Sequence, residues 1–151
     1  LGEPRAEITA RSTALRGASI GGELALRAID EIPICAALAA RTSGCTRFFD
    51  VAELRVKESD RIEAIVTLLR AFGVDASEHE DGFSVEGRPN QQLAAARVDS
   101  HGDHRIAMTA AVLGLVADGP TVVEDVACIG TSFPRFVGTL RALGAEVEVE
   151  S

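Results

Sequence analysis

Cysteine is scarce in this sequence, and its three cysteines do not form the pattern of a disulfide or metal framework. Cys35, Cys45 and Cys128 are odd in number, show no CxxC spacing and stand among apolar or small neighbours. Disulfide-rich domains and cysteine-bound zinc sites have even numbers or paired spacings instead. The sequence therefore predicts reduced and mostly buried thiols.

Long apolar runs and an excess of basic residues are also missing. No apolar segment approaches the roughly 20 residues that span a bilayer, and residues 1–5 lack the basic, apolar and small-residue order of a signal peptide. The chain has 15 Lys and Arg residues against 23 Asp and Glu residues, a net charge of -8. Because non-specific binding to nucleic acid or membranes needs a broad positive field, both partners are disfavoured. We expect a cytoplasmic protein.

The residues that are present suffice for one hydrophobic core. At 151 residues and 46% hydrophobic composition, the chain is predicted to form a single domain, 1–151. Residues 59–72 are predicted to form an amphipathic helix that stops at Gly73. The apolar stripe of this helix consists of Ile62, Ile65, Val66, Leu69 and Phe72.

This stripe occurs a second time, which indicates an internal repeat. Its second copy, 71 residues further on, consists of Phe133, Phe136, Val137, Leu140 and Leu143, and Gly144 follows it as Gly73 follows the first. Each unit is predicted as strand, buried helix, strand, amphipathic helix and strand, and residues 145–149 form the last strand. Repeat one covers about 5–87 and repeat two about 93–150. The sequence thus predicts an α/β (α+β) domain.

Local signals predict further strands in the first unit. Residues 6–10 alternate like a strand, and residues 15–20 are its predicted partner after a Ser-Thr turn. Residues 74–80 and 83–86 are predicted to form a hairpin, because Asp81-Gly82 between them supplies the positive φ of a tight turn.

The two remaining helices are predicted to be buried on every side. Asp30 is placed to cap a helix whose first turn contains Pro33, and residues 34–40 are apolar all round. Asp103 precedes a similar apolar helix over residues 106–116.

The candidate functional residues gather at three predicted helix starts, which could converge on one side of the domain. They are Asp30 and Glu31 at the first start, Lys57, Glu58 and Arg61 at the second, and His104 and Arg105 at the third. Arginines near helix N-termini can grip a carboxylate or phosphate with paired hydrogen bonds. Carboxylates held beside them could serve as general base and general acid.

Each residue also has a purely structural interpretation. Asp30 is most simply a helix cap, Glu58 and Lys57 a solvated pair, and His104 a hydrogen-bonded residue at a helix start. The string H-G-D-H over residues 101–104 could suggest a metal site, but it lacks a further ligand cluster. We therefore predict no metal and no cofactor.

Four strings carry a resemblance to a known family. They are R-V-K-E-S-D-R at 55–61, D-H-R-I-A-M at 103–108, I-D-E-I-P at 29–33 and S-F-P at 132–134. In this order they resemble the C-terminal signatures of the EPSP synthase family (3-phosphoshikimate 1-carboxyvinyltransferase). The likeness runs through nearly all of the chain, which corresponds to only the last third of such an enzyme.

The resemblance implies a fold and a reaction. The family's fold is an inside-out α/β barrel of two lobes, each built from three βαβαββ units, and this chain would supply the last two units of the C-terminal lobe. The lobes close over shikimate 3-phosphate and phosphoenolpyruvate, and the enolpyruvyl group passes to the 5-hydroxyl through a tetrahedral intermediate. The partner of this chain would therefore be the missing N-terminal lobe.

The resemblance also implies roles for six residues. Asp30 resembles the carboxylate that takes the 5-hydroxyl proton, and Glu58 the group that exchanges a proton with the phosphoenolpyruvate methylene. Arg61 and Arg105 resemble the pair that holds the phosphoenolpyruvate carboxylate. Lys57 resembles a contact to the phosphorylated shikimate, and His104 is expected to support the site.

The sequence departs from the family at two positions and leaves a second class of function open. Thr131 stands where some members have a lysine, and Glu53 where some have an asparagine. The alternative function is a non-catalytic anion-binding or assembly module. The sister enzyme acting on UDP-N-acetylglucosamine fits the strings less well. Because each face of the site comes from a different lobe, the isolated chain is expected to be inactive. A lobe lacking one unit should also expose apolar faces, so the chain is expected to self-associate near residues 7–20.

Overall fold

The computed structural model describes residues 5–150 and is a mixture of short helices and short strands. The α-helices are Gly22–Arg27 (α1), Ile32–Ala39 (α2), Arg61–Ala71 (α3), His104–Gly114 (α4), Ile129–Ser132 (α5) and Phe136–Ala142 (α6). The strands are Ser19–Ile20 (β1), Gly44–Phe48 (β2), Asp75–His79 (β3), Gly82–Gly87 (β4), Leu93–Ala94 (β5), Arg97–Asp99 (β6), Ala117–Asp118 (β7) and Val122–Glu124 (β8). Short 3₁₀ helices cover Ile29–Glu31, Ala52–Val56 and Val126–Cys128. Residues 1–4 and 151 of the predicted domain lie outside the described part.

The first half of the chain forms a four-stranded sheet in the order β1-β2-β4-β3. Strand β1 pairs parallel with β2, and the two other neighbouring pairs are antiparallel. The element order β1, α1–α2, β2, α3, β3, β4 is that of a βαβαββ unit. The second half has two parallel pairs, β5 with β7 and β6 with β8. Its α4 stands where α2 stands in the first half.

One hydrophobic core joins the two halves. Helices α2, α3 and α4 pack against one another, and α3 also packs on β3 and β4. The apolar faces of these helices meet the inner side of the sheet, where the Phe48 and Phe83 rings stack with centroids 4.6 Å apart. A smaller cluster lies between α4 and α6 and includes Ala107, Phe136 and Leu140. Because the three helices share a core, their N-terminal ends are held in fixed positions relative to one another.

The predicted amphipathic helix is confirmed, with its start two residues later. Asp60 is the cap of α3, and its carboxylate accepts hydrogen bonds from the backbone N–H groups of Ile62 and Glu63. The helix ends before Gly73, whose φ of 77° is the left-handed conformation that glycine adopts most easily. Gly144 follows α6 with a φ of 94°. The two amphipathic helices therefore share the same stop.

Two predicted strands are wrong. Residues 6–10 and 145–149 have no strand pairing. Strand β1 pairs with β2 instead, so residues 6–10 have no partner and are exposed, with Ile8 90% accessible. Alternation alone did not indicate a strand here, because a strand also needs a neighbour to satisfy its backbone groups.

The predicted hairpin of β3 and β4 is confirmed, but the predicted position of its turn is wrong. The two-residue turn is Glu80-Asp81, and Gly82 already pairs with His79 in the ladder. Neither Asp81 nor Gly82 has a positive φ. Glycine is needed at 82 for a different reason, since a Cβ there would lie 2.0 Å from the Phe48 carbonyl oxygen.

Burial of α2 and of the thiols also differs from the prediction. Ile34 and Leu38 are 40% and 54% exposed, because α2 packs on α3 and α4 along one side only. Asp30 does not cap α2; the cap position is Glu31, and it makes no side-chain cap bond. All three cysteines are free, but Cys45 is exposed and only Cys35 and Cys128 are partly buried. No helix among residues 5–150 is long and apolar enough to cross a membrane.

Candidate active site

The structure brings the three helix starts together around the guanidinium of Arg61. This side chain is only 1% exposed, although arginine is seldom buried. Its Nη1 donates to Asp30 Oδ1 at 3.0 Å and its Nη2 to Glu58 Oε2 at 2.6 Å. Its Nε donates to Asp103 Oδ2 at 2.7 Å, and a longer bond joins Nη2 to Asp103 Oδ1. One cation in the first turn of α3 thus joins the starts of α2, α3 and α4.

Asp103 completes the buried part of this arrangement. It is fully buried, caps α4 by accepting from the Arg105 N–H at 2.9 Å, and accepts from the Ser59 hydroxyl at 3.1 Å. Burial alone would raise the pKa of the Asp103 carboxyl, but these bonds and the Arg61 charge lower it below its ordinary value. Burial alone would lower the pKa of Arg61, and its carboxylate partners raise it. The two groups therefore form an ion pair.

A second cation, Arg105 at the start of α4, approaches Asp30. Its Nη1 donates to the Asp30 carbonyl oxygen at 2.6 Å, and its Nη2 lies 3.8 Å from Asp30 Oδ2. Glu31 Oε1 is 3.7 Å from Nη1. The Arg105 side chain is 31% exposed, so part of its guanidinium faces solvent. The two arginines thus both contact Asp30.

Lys57 and His104 lie at the edge of the network. The Lys57 ammonium is 2.8 Å from Glu53 Oε1 and 3.9 Å from Asp30 Oδ1. The hydrogen bond to Glu53 is the largest influence on the pKa of Lys57 and raises it, so the lysine stays charged. His104 Nδ1 is 3.9 Å from Glu58 Oε1. All six predicted site residues therefore fall within one polar network.

Two grooves flank the network. One, of about 260 Å³, is bordered by Asp30 and Arg105 and otherwise by mostly apolar side chains of α2 and α4, with Phe133 and Phe136. The other, of about 550 Å³, begins at Glu58 and Ser59 and runs along α3 beside β6 to Ala71. Asp30 thus lines one groove and Glu58 the other, and both carboxylates bond to Arg61.

Sequence reasoning gave no site role to Asp103 and Ser59, which belong to the network, or to Arg55, which lies beside it. Asp103 was recognised only as a helix start and part of a motif, Ser59 only as part of a helix start, and Arg55 only as part of the charged string. The bond between Arg61 and Asp103 spans 42 residues of sequence, and nothing local indicates it. The one available signal was the position of Asp103 directly before an apolar helix, which is where a buried cap is expected.

Two further predictions concern residues at the margin of the site. Thr131 lies in α5, and its hydroxyl donates to the Cys128 carbonyl oxygen at 2.8 Å. This bond lies within the segment of α5 and does not reach the network of Arg61. The two histidines of the H-G-D-H string have different carboxylate neighbours, Asp99 for His101 and Glu58 for His104. Within residues 5–150, no group of three or more His, Cys, Asp or Glu side chains is placed to hold a metal ion.

Comparison with known proteins shows the family. Residues 3–149 match the family EPSP synthase (3-phosphoshikimate 1-carboxyvinyltransferase). A relative of that name from Geobacter metallireducens is 50% identical over 144 residues, which is 95% of this chain and 33% of the relative. One from Parvibaculum lavamentivorans is 47% identical, again over 95% of this chain and 32% of the relative. The chain thus spans about a third of the length of these relatives.

Solved structures agree with the sequence comparison. An EPSP synthase from Acinetobacter baumannii superposes with a TM-score of 0.86 at 36% identity, covering 91% of this chain and 32% of that one. The enolpyruvyl transferase NikO from Streptomyces tendae, at 19% identity and a TM-score of 0.56, shares the fold. The mixed α/β architecture is therefore a fragment of the enolpyruvyl transferase fold, and the chain belongs to the EPSP synthase family.

Proposed function

We propose that this chain is the C-terminal portion of an EPSP synthase. The complete protein would transfer the enolpyruvyl group of phosphoenolpyruvate to the 5-hydroxyl of shikimate 3-phosphate and release phosphate, a step of the shikimate pathway to the aromatic amino acids. Family membership supports the reaction class. The observation that carries the proposal is that one buried guanidinium, Arg61, holds both Asp30 and Glu58.

These two carboxyl groups match the two proton transfers of the reaction. Asp30 takes the proton of the 5-hydroxyl as that oxygen bonds to C2 of phosphoenolpyruvate, while the C3 methylene takes a proton from Glu58. In the second step Asp30 returns its proton to the departing phosphate, and Glu58 takes one from the new methyl group to restore the double bond. A positioned acid or base of this kind typically accelerates a step by about 10²–10⁴-fold.

The cations of the network have different tasks. Arg61 has five N–H groups, and four hydrogen bonds to carboxylates engage its nitrogens in a buried position. Arg105 is partly exposed and borders the groove beside Asp30. We therefore assign the direct contact with the phosphoenolpyruvate carboxylate to Arg105. Arg61 joins it when the substrate displaces one of its carboxylates, and Lys57 contacts the phosphorylated shikimate with His104 in support.

The charge of the network indicates that this chain supplies only part of the site. Its ion pairs involve the three permanent cations Lys57, Arg61 and Arg105 and five carboxylates, which are Asp30, Glu31, Glu53, Glu58 and Asp103. A net negative site repels two anionic substrates unless further cations stand opposite. The relatives carry about twice as much additional chain as is present here, so an N-terminal lobe is the proposed source.

The test compares this chain alone with the completed enzyme, meaning the chain joined to the N-terminal segment that its relatives carry. We expect the completed enzyme to release phosphate from phosphoenolpyruvate only when shikimate 3-phosphate is present, and the 151-residue chain to show no turnover. Both positioning and exclusion of water need the second lobe. Turnover by the 151-residue chain alone would contradict the two-lobe argument. A completed enzyme that binds shikimate 3-phosphate without turnover would favour the alternative of a non-catalytic anion-binding module.

A further inference from the structure

The segment that presents Lys57 and Glu58 has little internal structure of its own. Between β2 and α3 it contains only the 3₁₀ helix Ala52–Val56. Val51 and Leu54 are fully buried and fix its first part, but Val56 is 79% exposed, and the next buried side chain is Arg61. Neither core packing nor regular secondary structure therefore determines where the backbone of residues 56–59 lies.

Arg55 anchors this segment to the sheet, in addition to the bond from the Ser59 hydroxyl to Asp103. Its Nη2 donates to the His79 carbonyl oxygen at 2.6 Å and its Nε to the Glu80 carbonyl oxygen at 3.1 Å, both at the tip of the β3–β4 hairpin. Its Nη1 donates to Glu78 Oε1 on β3 and to Asp60 Oδ2 at the cap of α3, both at 2.9 Å. The planar guanidinium of Arg55 thus links the hairpin to Asp60, the cap of α3. Because Arg55 and Asp60 stand on either side of Lys57 and Glu58 in the sequence, this link spans the segment that carries them.

The hairpin tip is itself held firmly, so it can serve as a reference point. The Asp81 carbonyl oxygen accepts from the Val51 N–H at 2.8 Å, and the Asp81 carboxylate accepts from the Asp50 N–H at 3.1 Å. The close approach of Gly82 to the Phe48 carbonyl oxygen fixes the tip against β2. Bonds to this tip therefore position the segment relative to the sheet.

We propose that Arg55 is a positioning residue for catalysis, which holds the Lys57–Glu58 segment in its working geometry through the hairpin tip. This inference rests on the proposed function for the roles of Lys57 and Glu58. It goes beyond that function because Arg55 touches neither Asp30 nor Arg61 by hydrogen bond, and acts only through the backbone that it fixes. Without Arg55, Glu58 keeps its hydrogen bond to Arg61, but the backbone that carries it loses its bonds to the hairpin tip, so the carboxyl is less firmly positioned for proton transfer.

A matched control separates positioning from stability. Arg70 also joins α3 to the hairpin, since its Nε donates to the Ala76 carbonyl oxygen at 3.0 Å, but at the opposite end of the helix. In the completed enzyme, Arg55→Gln should lower kcat about tenfold or more with a smaller change in KM, because small misplacements of catalytic groups are costly. Arg70→Gln should lower the Tm but leave kcat unchanged. Arg55→Lys, which keeps the charge but not the planar fork, should recover part of the rate.

Two further measurements test the positioning role of Arg55 by other means. Glu78→Ala removes one acceptor of Arg55 at a 41% exposed site, and should lower kcat to a smaller extent without unfolding the protein. Backbone NMR order parameters for residues 56–59 of the 151-residue chain should fall from about 0.85 to below about 0.6 in Arg55→Gln and stay unchanged in Arg70→Gln.

The outcomes distinguish this inference from the proposed function. Unchanged order parameters in Arg55→Gln, or a kcat equal to that of Arg70→Gln, would overturn the positioning role. An inactive completed enzyme whose Arg55→Gln variant still shows loosening at residues 56–59 would leave the anchor intact and contradict the proposed reaction instead.

Discussion

Replacing Asp103 by asparagine tests whether the Arg61–Asp103 pair is the buried centre of the site. Asparagine keeps the shape, and its one carbonyl oxygen can still cap α4 by accepting from the Arg105 N–H. It removes the charge and puts an NH₂ group where Oδ2 accepts from Arg61 Nε and the Ser59 hydroxyl. Arg61 and Asp103 are 1% and 0% exposed, and breaking a buried pair costs about 3–5 kcal/mol. Asp30 and Glu58 still face Arg61 in the variant, so we expect the lower end, about 3 kcal/mol. For a chain of this size that lowers the Tm by roughly 6–12 °C.

The measurement is urea unfolding of the 151-residue chain at pH 7. Because the chain contains neither Trp nor Tyr, the transition is followed by far-UV circular dichroism. Asp30→Asn is the matched control, since Asp30 pairs with the same guanidinium but is 44% exposed, and it should cost less than about 1 kcal/mol. An Asp103→Asn variant within about 1 kcal/mol of the wild type, or no less stable than Asp30→Asn, would refute the reasoning.

The Arg61–Asp103 pair also predicts how the free energy of unfolding depends on pH. The pKa of Asp103 is lower in the folded protein than its ordinary value, so the folded state favours the ionised carboxylate. Its contribution to the free energy of unfolding is therefore complete above the unfolded pKa of about 3.9 and is lost as the pH falls through the lower folded pKa. The difference in stability between wild type and Asp103→Asn should be constant from pH 7 to about 5 and shrink below about pH 4.

Two other predictions follow from exposed groups. Glu53→Gln removes the carboxylate that holds Lys57 and so frees the lysine for the phosphorylated substrate. In the completed enzyme the KM for shikimate 3-phosphate should fall about two- to threefold, and high salt should reduce the difference. A raised KM would show instead that Glu53 aids binding. The isolated chain should self-associate near residues 7–20, where the following helices expose Leu24, Leu26 and Leu38. Light scattering should give at least a dimer, and Leu38→Glu should shift it towards monomer, whereas a stable monomeric wild type would overturn this expectation.

What the sequence could predict was set by local chemistry. The spacing of apolar residues and the Gly73 stop are local signals, and together they located α3 to within two residues. The charged strings marked three helix starts, and the structure brings these starts together. Each of these signals depends on neighbours in the chain.

The rest depended on contacts between distant segments. Residues 6–10 and 145–149 alternate as strands do, but no pattern in them specifies a partner, and in the structure neither pairs. The exposure of Ile34 and Leu38 depends on what packs against α2, which an apolar helix does not reveal by itself. The burial of Arg61 follows from Asp103, a residue 42 positions away. Long-range pairing is therefore where sequence reasoning stopped.

The measurement that tests the central claim most directly is the turnover of the Glu58→Gln variant of the completed enzyme. Glutamine keeps the size of the side chain and can still accept from Arg61, but it cannot exchange a proton with the phosphoenolpyruvate methylene. We predict a loss of about 10²–10⁴-fold in kcat, with a much smaller change in the KM of either substrate. A kcat near that of the wild type would contradict the assignment of proton transfer to Glu58. Its role would then be that of an exposed ion-pair partner of Arg61.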